Sequence, residues 1–538
     1  MKKAFKYIIF PVLLTGSLES CHKLDLPITT ELTPDVFPQD SAQFIQASGP
    51  AYVALRGNWA VEYFFQQAQT TDEAIMPARG GNWYDGGQFE QMHYHTWTPD
   101  NGLVNGNWTW LSTIIGTTNQ ALSILGETMP EGSFRQRSLA ELKMLRAFAY
   151  FMMMDNYGNV PLDTVYGDFT PHANVPRAQV FTFIEDEINA SLPYLSTTTG
   201  ISTYGRATKY MAYALLAKMY VNAEVYTGTE RNDDCIAACD NIINSGQFAL
   251  EPMSTYLQMF YPDNGPDKKE FIFAIPYDPA ASNSFPFRAV NIHARYDVPR
   301  SEVAKFGLPF TPSAPESTLP EFYANFNDPN DVRNGQWLTG LQYMNDGVTP
   351  VTVTTTNLGY NQFYTGSNPS GSYTYQVDLT PDVVLRQDAS LFDCGNDEIS
   401  WNMGYRNIKF YPDAGSANRN QNNDEPVFRY SDIILMKAEA ILRGGSPTHG
   451  QTALSLVNEL RAVRTTSVAW ATVSLEDIYA ERCREFAYEG WHRNDMIRFG
   501  KYEGSWGFKT DADVNHRIFP IPTSALQLNP ALTQNPGY

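Results

Sequence analysis

The chain has 538 residues, 43% of them hydrophobic, which is enough for one large or two ordinary domains with a substantial core and excludes a disordered protein. Its formal charge is -20 and its sequence pI is about 4.8. That balance excludes a nucleic-acid partner, which needs a basic face to release counterions, and disfavours anionic lipid surfaces.

Residues 1–20 read as a signal peptide, with Lys2, Lys3 and Lys6 ahead of an apolar run from Tyr7 to Leu14 that is too short to span a bilayer. The run ends in Leu18-Glu19-Ser20-Cys21, which is similar to the lipobox of bacterial lipoproteins, so Cys21 is expected to carry a lipid that serves as the membrane anchor. Residues 21–39, with Pro27, Pro34 and Pro38, form a tether ahead of a single body over 40–538. A first helical region follows Ser41, interrupted at Gly49-Pro50.

Thr71 to Trp97 shows neither helical nor strand periodicity and reads as an exposed ligand-contacting loop. Trp83 and Tyr84, large and stiff surfaces, sit between Gly80, Gly81, Gly86 and Gly87, which permit sharp turns. The same residues also fit a wide loop whose aromatics plug the core. His93 and His95 stand two apart, as on one strand face, without an evident third zinc ligand, and read as ordinary hydrogen-bonding histidines.

Val104 to Leu125 and Leu139 to Tyr157 are expected to be buried helices, with Met152 to Met154 in the core. Three helical hairpins follow from the pattern: Leu139–Tyr157 with Ala178–Leu195, Arg206–Val225 with Asp233–Ser245, and Tyr430–Arg443 with Thr452–Arg464. They resemble degenerate tetratricopeptide-like units, so the predicted fold is mainly α, a helical scaffold over 40–250 and 426–538. Cys235 and Cys239, four apart on one helix, are read as small core residues and not as a disulfide or metal pair.

Residues 251–425 break the pattern and are read as an irregular, loop-rich insertion with strand-like runs at Glu270–Ile275 and Val351–Val353. Its candidate surface aromatics are Phe285, Phe287, Tyr296, Trp337, Tyr343, Tyr360 and Tyr364. Asp328, Asn330 and Asp331 lack the spacing of an EF-hand. Further on, Glu481, Arg482, Arg484, Glu485, Glu489, Arg493, Asp495 and Arg498 alternate in sign at helical spacing, interleaved with Phe486, Tyr488 and Trp491. They are read as charge-paired helices closing the bundle; an active site of Arg484, Glu489 and His492 is the sharper and less favoured reading. Phe519-Pro520-Ile521-Pro522 docks the terminus ahead of a short final helix.

Four C-terminal blocks, FRYSDIILMKAE (428–439), LVNELRAVR (456–464), IYAERCREFAYEGWHRNDMIRFG (478–500) and FPIPTSALQLNPALTQNPGY (519–538), look like the SusD/RagB family of outer-membrane nutrient-binding lipoproteins. The match extends upstream through LRAFAYFMMMDNYGNVPL and RATKYMAYALLAKMY. The resemblance implies a cell-surface, lipid-anchored protein that caps a SusC-like TonB-dependent transporter and captures nutrient, most often an oligosaccharide.

A sugar offers apolar CH faces and a hydroxyl rim, so its site needs an aromatic platform with carboxylates, amides and Arg around it. Trp83 and Tyr84 are expected to stack, and Asp72, Asn82 and Asp85 to hold hydroxyls; Tyr296 and Trp337 are added because family members contact ligand from the insertion as well. The same scaffold binding oligopeptides is one alternative, a surface glycoside hydrolase using Asp72, Glu73 or Asp85 another. No HExxH, GxSxG, Walker or CxxC spacing is present, so neither an enzyme nor a cofactor is expected.

Overall fold

A computed structural model describes residues 37–277, 291, 293–355, 373–386, 391–416 and 419–538. The expected signal peptide, Cys21 and most of the tether lie outside the described residues, as do Phe285, Phe287, Tyr360 and Tyr364. No helix among the described residues is long and apolar enough to cross a membrane.

The body is mainly helical. α1, Ser41–Arg56, starts where the Asp40 carboxylate accepts from Gln43 N at 2.9 Å, and it runs through Pro50 without the expected break. α2, Gly102–Thr128, is capped by Asn101, and α3, Ser133–Tyr157, is buried along nearly its whole second half, Met152 to Met154 included. Gly158, at φ +70°, ends it. α4 (Arg177–Ser191) returns along α3, α6 (Asn232–Ile243) along α5 (Lys209–Val221), and α8 (Ala453–Arg461) along α7 (Tyr430–Leu442), so the three expected hairpins are present. Small side chains permit the close approach: Ala214 and Ala217 of α5 and Cys235, Ala238 and Cys239 of α6 are all buried, and Cys235 meets the backbone at Ala217. Cys235 Sγ lies 3.5 Å from Ala217 O and 3.9 Å from Met436 O, at the junction of α5, α6 and α7, and both cysteines are free thiols.

The insertion leaves and rejoins the helices at one place. β1, Phe271–Ile275, pairs antiparallel with the strand Glu425–Arg429, Ile275 opposite Glu425 and Phe271 opposite Arg429. Between them lie the hairpin of β2 (Thr352–Thr355) and β3 (Tyr373–Gln376) and two short pairs, Trp337–Leu338 with Arg406–Asn407 and Gly340–Leu341 with Asp378–Leu379; the strand at 425–429 is β4. A small second core of Val298, Phe306, Leu308, Leu338, Val351, Val377 and Leu379 stiffens this region.

α9 (Leu475–Phe486), opened by a Ser474–Asp477 capping box, and α10 (His492–Arg498) carry the alternating charges inward. Glu485, fully buried, accepts from Arg333, Arg429 and Arg464; Arg429 also reaches Glu270 and Glu489, Arg333 reaches Asp331 and Glu481, and Lys409 reaches Glu489. Arg461 and Arg484 join at Glu481, and Arg461 continues to Asp328. Six cations thus meet six carboxylates in one network, which is why so much charge can be buried. It ties the insertion (Glu270, Asp331, Arg333, Lys409) to the helices. The terminus docks through Phe519 N, which donates to Asn156 O at 2.7 Å, and carries the short final helix Thr523–Leu528.

Candidate functional site

The segment from Thr71 to Trp97 is not one exposed loop. Residues 73–80 are buried, Gln88–Tyr94 is a helix, and exposure is concentrated at 82–86. The insertion holds this short projection in place. Ala78 N donates to Phe392 O and Cys394 N to Ala78 O, while the Asp393 carboxylate accepts from Gly80 N at 2.9 Å and Gly81 N at 2.7 Å. Gly80 has φ +65°, and a Cβ there would stand 2.3 Å from Asn396 Cβ, so the approach requires glycine. The buried Arg79 guanidinium donates to the carbonyls of Ser400, Pro315 and Met403.

Trp83 (φ +69°) and Asp85 (φ +45°) then sit in the left-handed region, a conformation that costs a bulky side chain about 1–3 kcal/mol and concentrates at ligand sites. The half-buried Trp83 indole stands edge-on to Tyr296 (5.1 Å between ring centres), and Tyr296 edge-on to Phe65 (5.0 Å) in the core. The column fixes the indole. In front of it opens a cleft of about 360 Å³ lined by Asn82, Trp83, Arg300, Thr311, Pro312, Ser313, Trp401 and Arg419. A second cleft of about 510 Å³ shares Arg300, Thr311 and Trp401 and continues past Thr352, Thr354, Asn396, Glu398 and Asn402. Arg300 lies over the Trp401 ring at 4.7 Å, and the Trp401 Nε1–H donates to Asn396 Oδ1 at 3.2 Å. Burial raises the Glu398 carboxyl, against the pull of Arg300. The result is a groove with an indole at each section, two guanidiniums and a rim of amides and hydroxyls.

The structure brings together Trp83, Asn82 and Tyr296 of the expected residues, Tyr296 as support behind the indole. Tyr84 and Asp85 are exposed at the turn beside the groove and do not line it; Asp85 is near enough to add to the burial that raises the Tyr296 hydroxyl. Two expectations are corrected. Asp72 Oδ1 is engaged by His492 Nε2 at 2.6 Å, inside the body. Trp337 is 7% exposed, packed edge-on to Phe326 (5.1 Å), Tyr323 (5.6 Å) and Tyr488 (5.8 Å), because its strand turns the indole into the core. Arg300, Glu398, Trp401 and Arg419 were not anticipated. They come from separate loops with no shared spacing, and the single available cue was an isolated Trp in a polar run, Glu398-Ile399-Ser400-Trp401-Asn402.

His93 and His95 do not share a strand face. His93 lies in the helix and its Nε2 accepts from Phe508 N at 3.1 Å; burial, then Lys509, lowers it to about 3, so it is neutral. His95 caps the helix at φ +57° and turns the other way.

A larger cleft of about 670 Å³ lies between α2 and the final helix, lined by Trp108, Val165, Tyr166, Phe169 and Leu528 among others. It is mostly apolar and has no cation in its wall, so it matches a polyhydroxylated ligand less well than the smaller groove. Cys483, His492 and Asp72 follow one another at 3.9 Å and 2.6 Å, the order of a thiol triad. Cys483 is 3% exposed and burial pushes its thiol up, the opposite of an activated nucleophile.

Sequence comparison finds two matching families: residues 320–538 match the one described as "SusD family", and 40–221 the one described as "Starch-binding associating with outer membrane". The starch-binding protein SusD of Bacteroides thetaiotaomicron is 24% identical, aligned over the whole of this chain and 99% of its own. Among solved structures, a laminarin-binding SusD-like protein superposes with a TM-score of 0.70 at 22% identity, covering 93% of this chain and 100% of that one. Surface glycan-binding protein A from Bacteroides fluxus does so at 0.71 and 17%, with the same coverage.

Proposed function

We propose that this chain, which belongs to the SusD family, captures oligosaccharide or polysaccharide in the Trp83–Trp401 groove and delivers it to a SusC-like TonB-dependent transporter. A lipid on Cys21 would hold it at the outer-membrane surface. The observation that carries the reading is the Trp83 indole, held in a left-handed backbone and braced by Tyr296 at the mouth of a polar groove. Its names aside, that groove has the chemistry relatives called starch-, laminarin- and glycan-binding would need.

Sugar CH faces stack on the Trp83 indole while Arg300, Arg419, Asn82 and Asn402 meet hydroxyls, with the buried Trp401 ring backing Arg300. Covering roughly 100 Å² of apolar surface, on the exposed part of Trp83 and the sugar face together, contributes about 2.5 kcal/mol. Hydrolysis is not part of the proposal. A glycosidase needs two carboxylates across the bond, and among the described residues Glu398 is the one carboxylate in the groove wall.

A combined glycan and peptide array with wild type and Trp83→Ala tests the reading. The expected result is glycan binding by the wild type that falls about 10- to 100-fold in the variant, as 2.5 kcal/mol implies. Binding to peptides alone, or glycan binding unchanged by the substitution, would overturn it.

A further inference from the structure

We infer that His95, Asp511 and His516 form a site for a zinc-class divalent cation that fastens the 509–517 segment to the end of the Gln88–Tyr94 helix. The three ligand atoms lie within 4.8 Å of one another. Asp511 Oδ2 is 3.6 Å from His95 Nδ1 and 2.9 Å from His516 Nδ1. In a tetrahedral shell with metal–ligand bonds of about 2.0–2.2 Å, neighbouring ligand atoms stand roughly 3.4 Å apart, and the two distances bracket that value.

The orientation of His95 is the second, independent observation. Its Nε2 lies 3.0 Å from Thr70 O, a carbonyl that can only accept, so Nε2 carries the proton. In that tautomer the Nδ1 lone pair faces the Asp511 carboxylate oxygen at 3.6 Å, an arrangement that is repulsive by itself and attractive with a cation between them. A histidine whose far nitrogen donates to a backbone carbonyl is also the usual support of a metal-bound imidazole. The rings of Trp97 (4.8 Å) and Tyr502 (4.8 Å) wall the site on the His95 side, while Asp511 and His516 are partly exposed and leave room for a water ligand. Two imidazoles and one carboxylate suit zinc over calcium or magnesium. Lys509, whose ammonium donates to Tyr502 O and Gly504 O, opposes the cation and limits its affinity.

Tag-free protein stripped with chelator and titrated with zinc chloride tests the inference, read by calorimetry and by metal content after dialysis. A competing pair sits elsewhere, His172 beside Asp163 and Asp168 on an exposed turn, so His172→Gln is the control. Wild type and His172→Gln are expected to retain one zinc per chain and gain thermal stability from it, while His516→Gln and Asp511→Asn bind at least about tenfold more weakly. No zinc uptake by the wild type, or uptake unchanged in His516→Gln, would overturn the inference. Both substituted side chains are partly exposed, and circular dichroism separates loss of the site from loss of the fold.

Discussion

Glu485→Gln removes the centre of the buried charge network while keeping its volume. The carboxylate accepts at 3.0 Å from Arg333 Nη1, at 3.0 Å from both Arg464 Nε and Nη2, and at 2.8 Å from Arg429 Nη1, and none of these side chains is more than 1% exposed. The amide can accept at one atom only and turns two N–H groups toward guanidiniums. Breaking a buried pair leaves uncompensated charge and costs about 3–5 kcal/mol. An unfolding entropy near 2.1 cal/mol/K per residue gives about 1 kcal/mol/K for a chain this long, so the midpoint is expected to fall by about 3–5 °C. Differential scanning calorimetry measures it, with Glu131→Gln as the control, since the Glu131–Arg135 pair is surface-exposed and worth under about 1 kcal/mol. A Glu485→Gln midpoint equal to that of the control would refute the argument that the network, and not the apolar contacts around it, joins insertion to helices.

Acid response has two opposing parts. Burial alone would raise the Glu481 carboxyl, but Arg333 and Arg484 outweigh it and hold it at about 2, so its stabilisation is complete above the unfolded value near 4.3 and is lost as pH falls from there through about 2. Burial raises Glu73 to about 7 and Asp424 to about 6, so those groups favour the folded state increasingly as pH falls from about 7 toward 4. The buried neutral His93, held at about 3, opposes them over the same range, so thermal midpoints should change little between pH 7 and 5 and fall below pH 4; midpoints still rising from pH 4 to 3 would contradict these assignments. Gly80→Ala should displace the Trp83 turn from Asn396 and Asp393, weaken glycan binding at least about tenfold and accelerate amide exchange at 79–86, with little change in the midpoint. Exchange unchanged there would mean the turn is not held by that contact.

The helical scaffold was legible because its signal is local. Ala-rich runs such as 206–225 repeat at helical spacing, and the breaks at Gly228 and Gly444-Gly445 mark where each hairpin returns. The charges at 481–498 were legible for the same reason, as alternating signs among aromatics, although their partners Glu270, Arg333 and Lys409 were not. Trp83 stood out because glycines flank it. What failed depends on distant partners. Asp72 looks available in sequence and is taken by a histidine 420 positions away, and Trp337 shares its composition with exposed aromatics but is turned inward by a strand too short to show periodicity. The groove is assembled from 82–83, 300–301, 311–313, 352–354, 396–402 and 419, and no periodicity links those segments. The partners of His95 in the inferred cation site, Asp511 and His516, lie past the whole insertion, and His93 has no part in it.

The central claim is that ligand stacks on the braced indole, and a crystal structure with an oligosaccharide selected on the array addresses it directly. The account predicts a sugar ring face-on to Trp83, with the chain running toward Trp401 between Arg300 and Arg419. A sugar bound instead in the apolar cleft beside Phe169 and Leu528, with the Trp83 groove open, would contradict it.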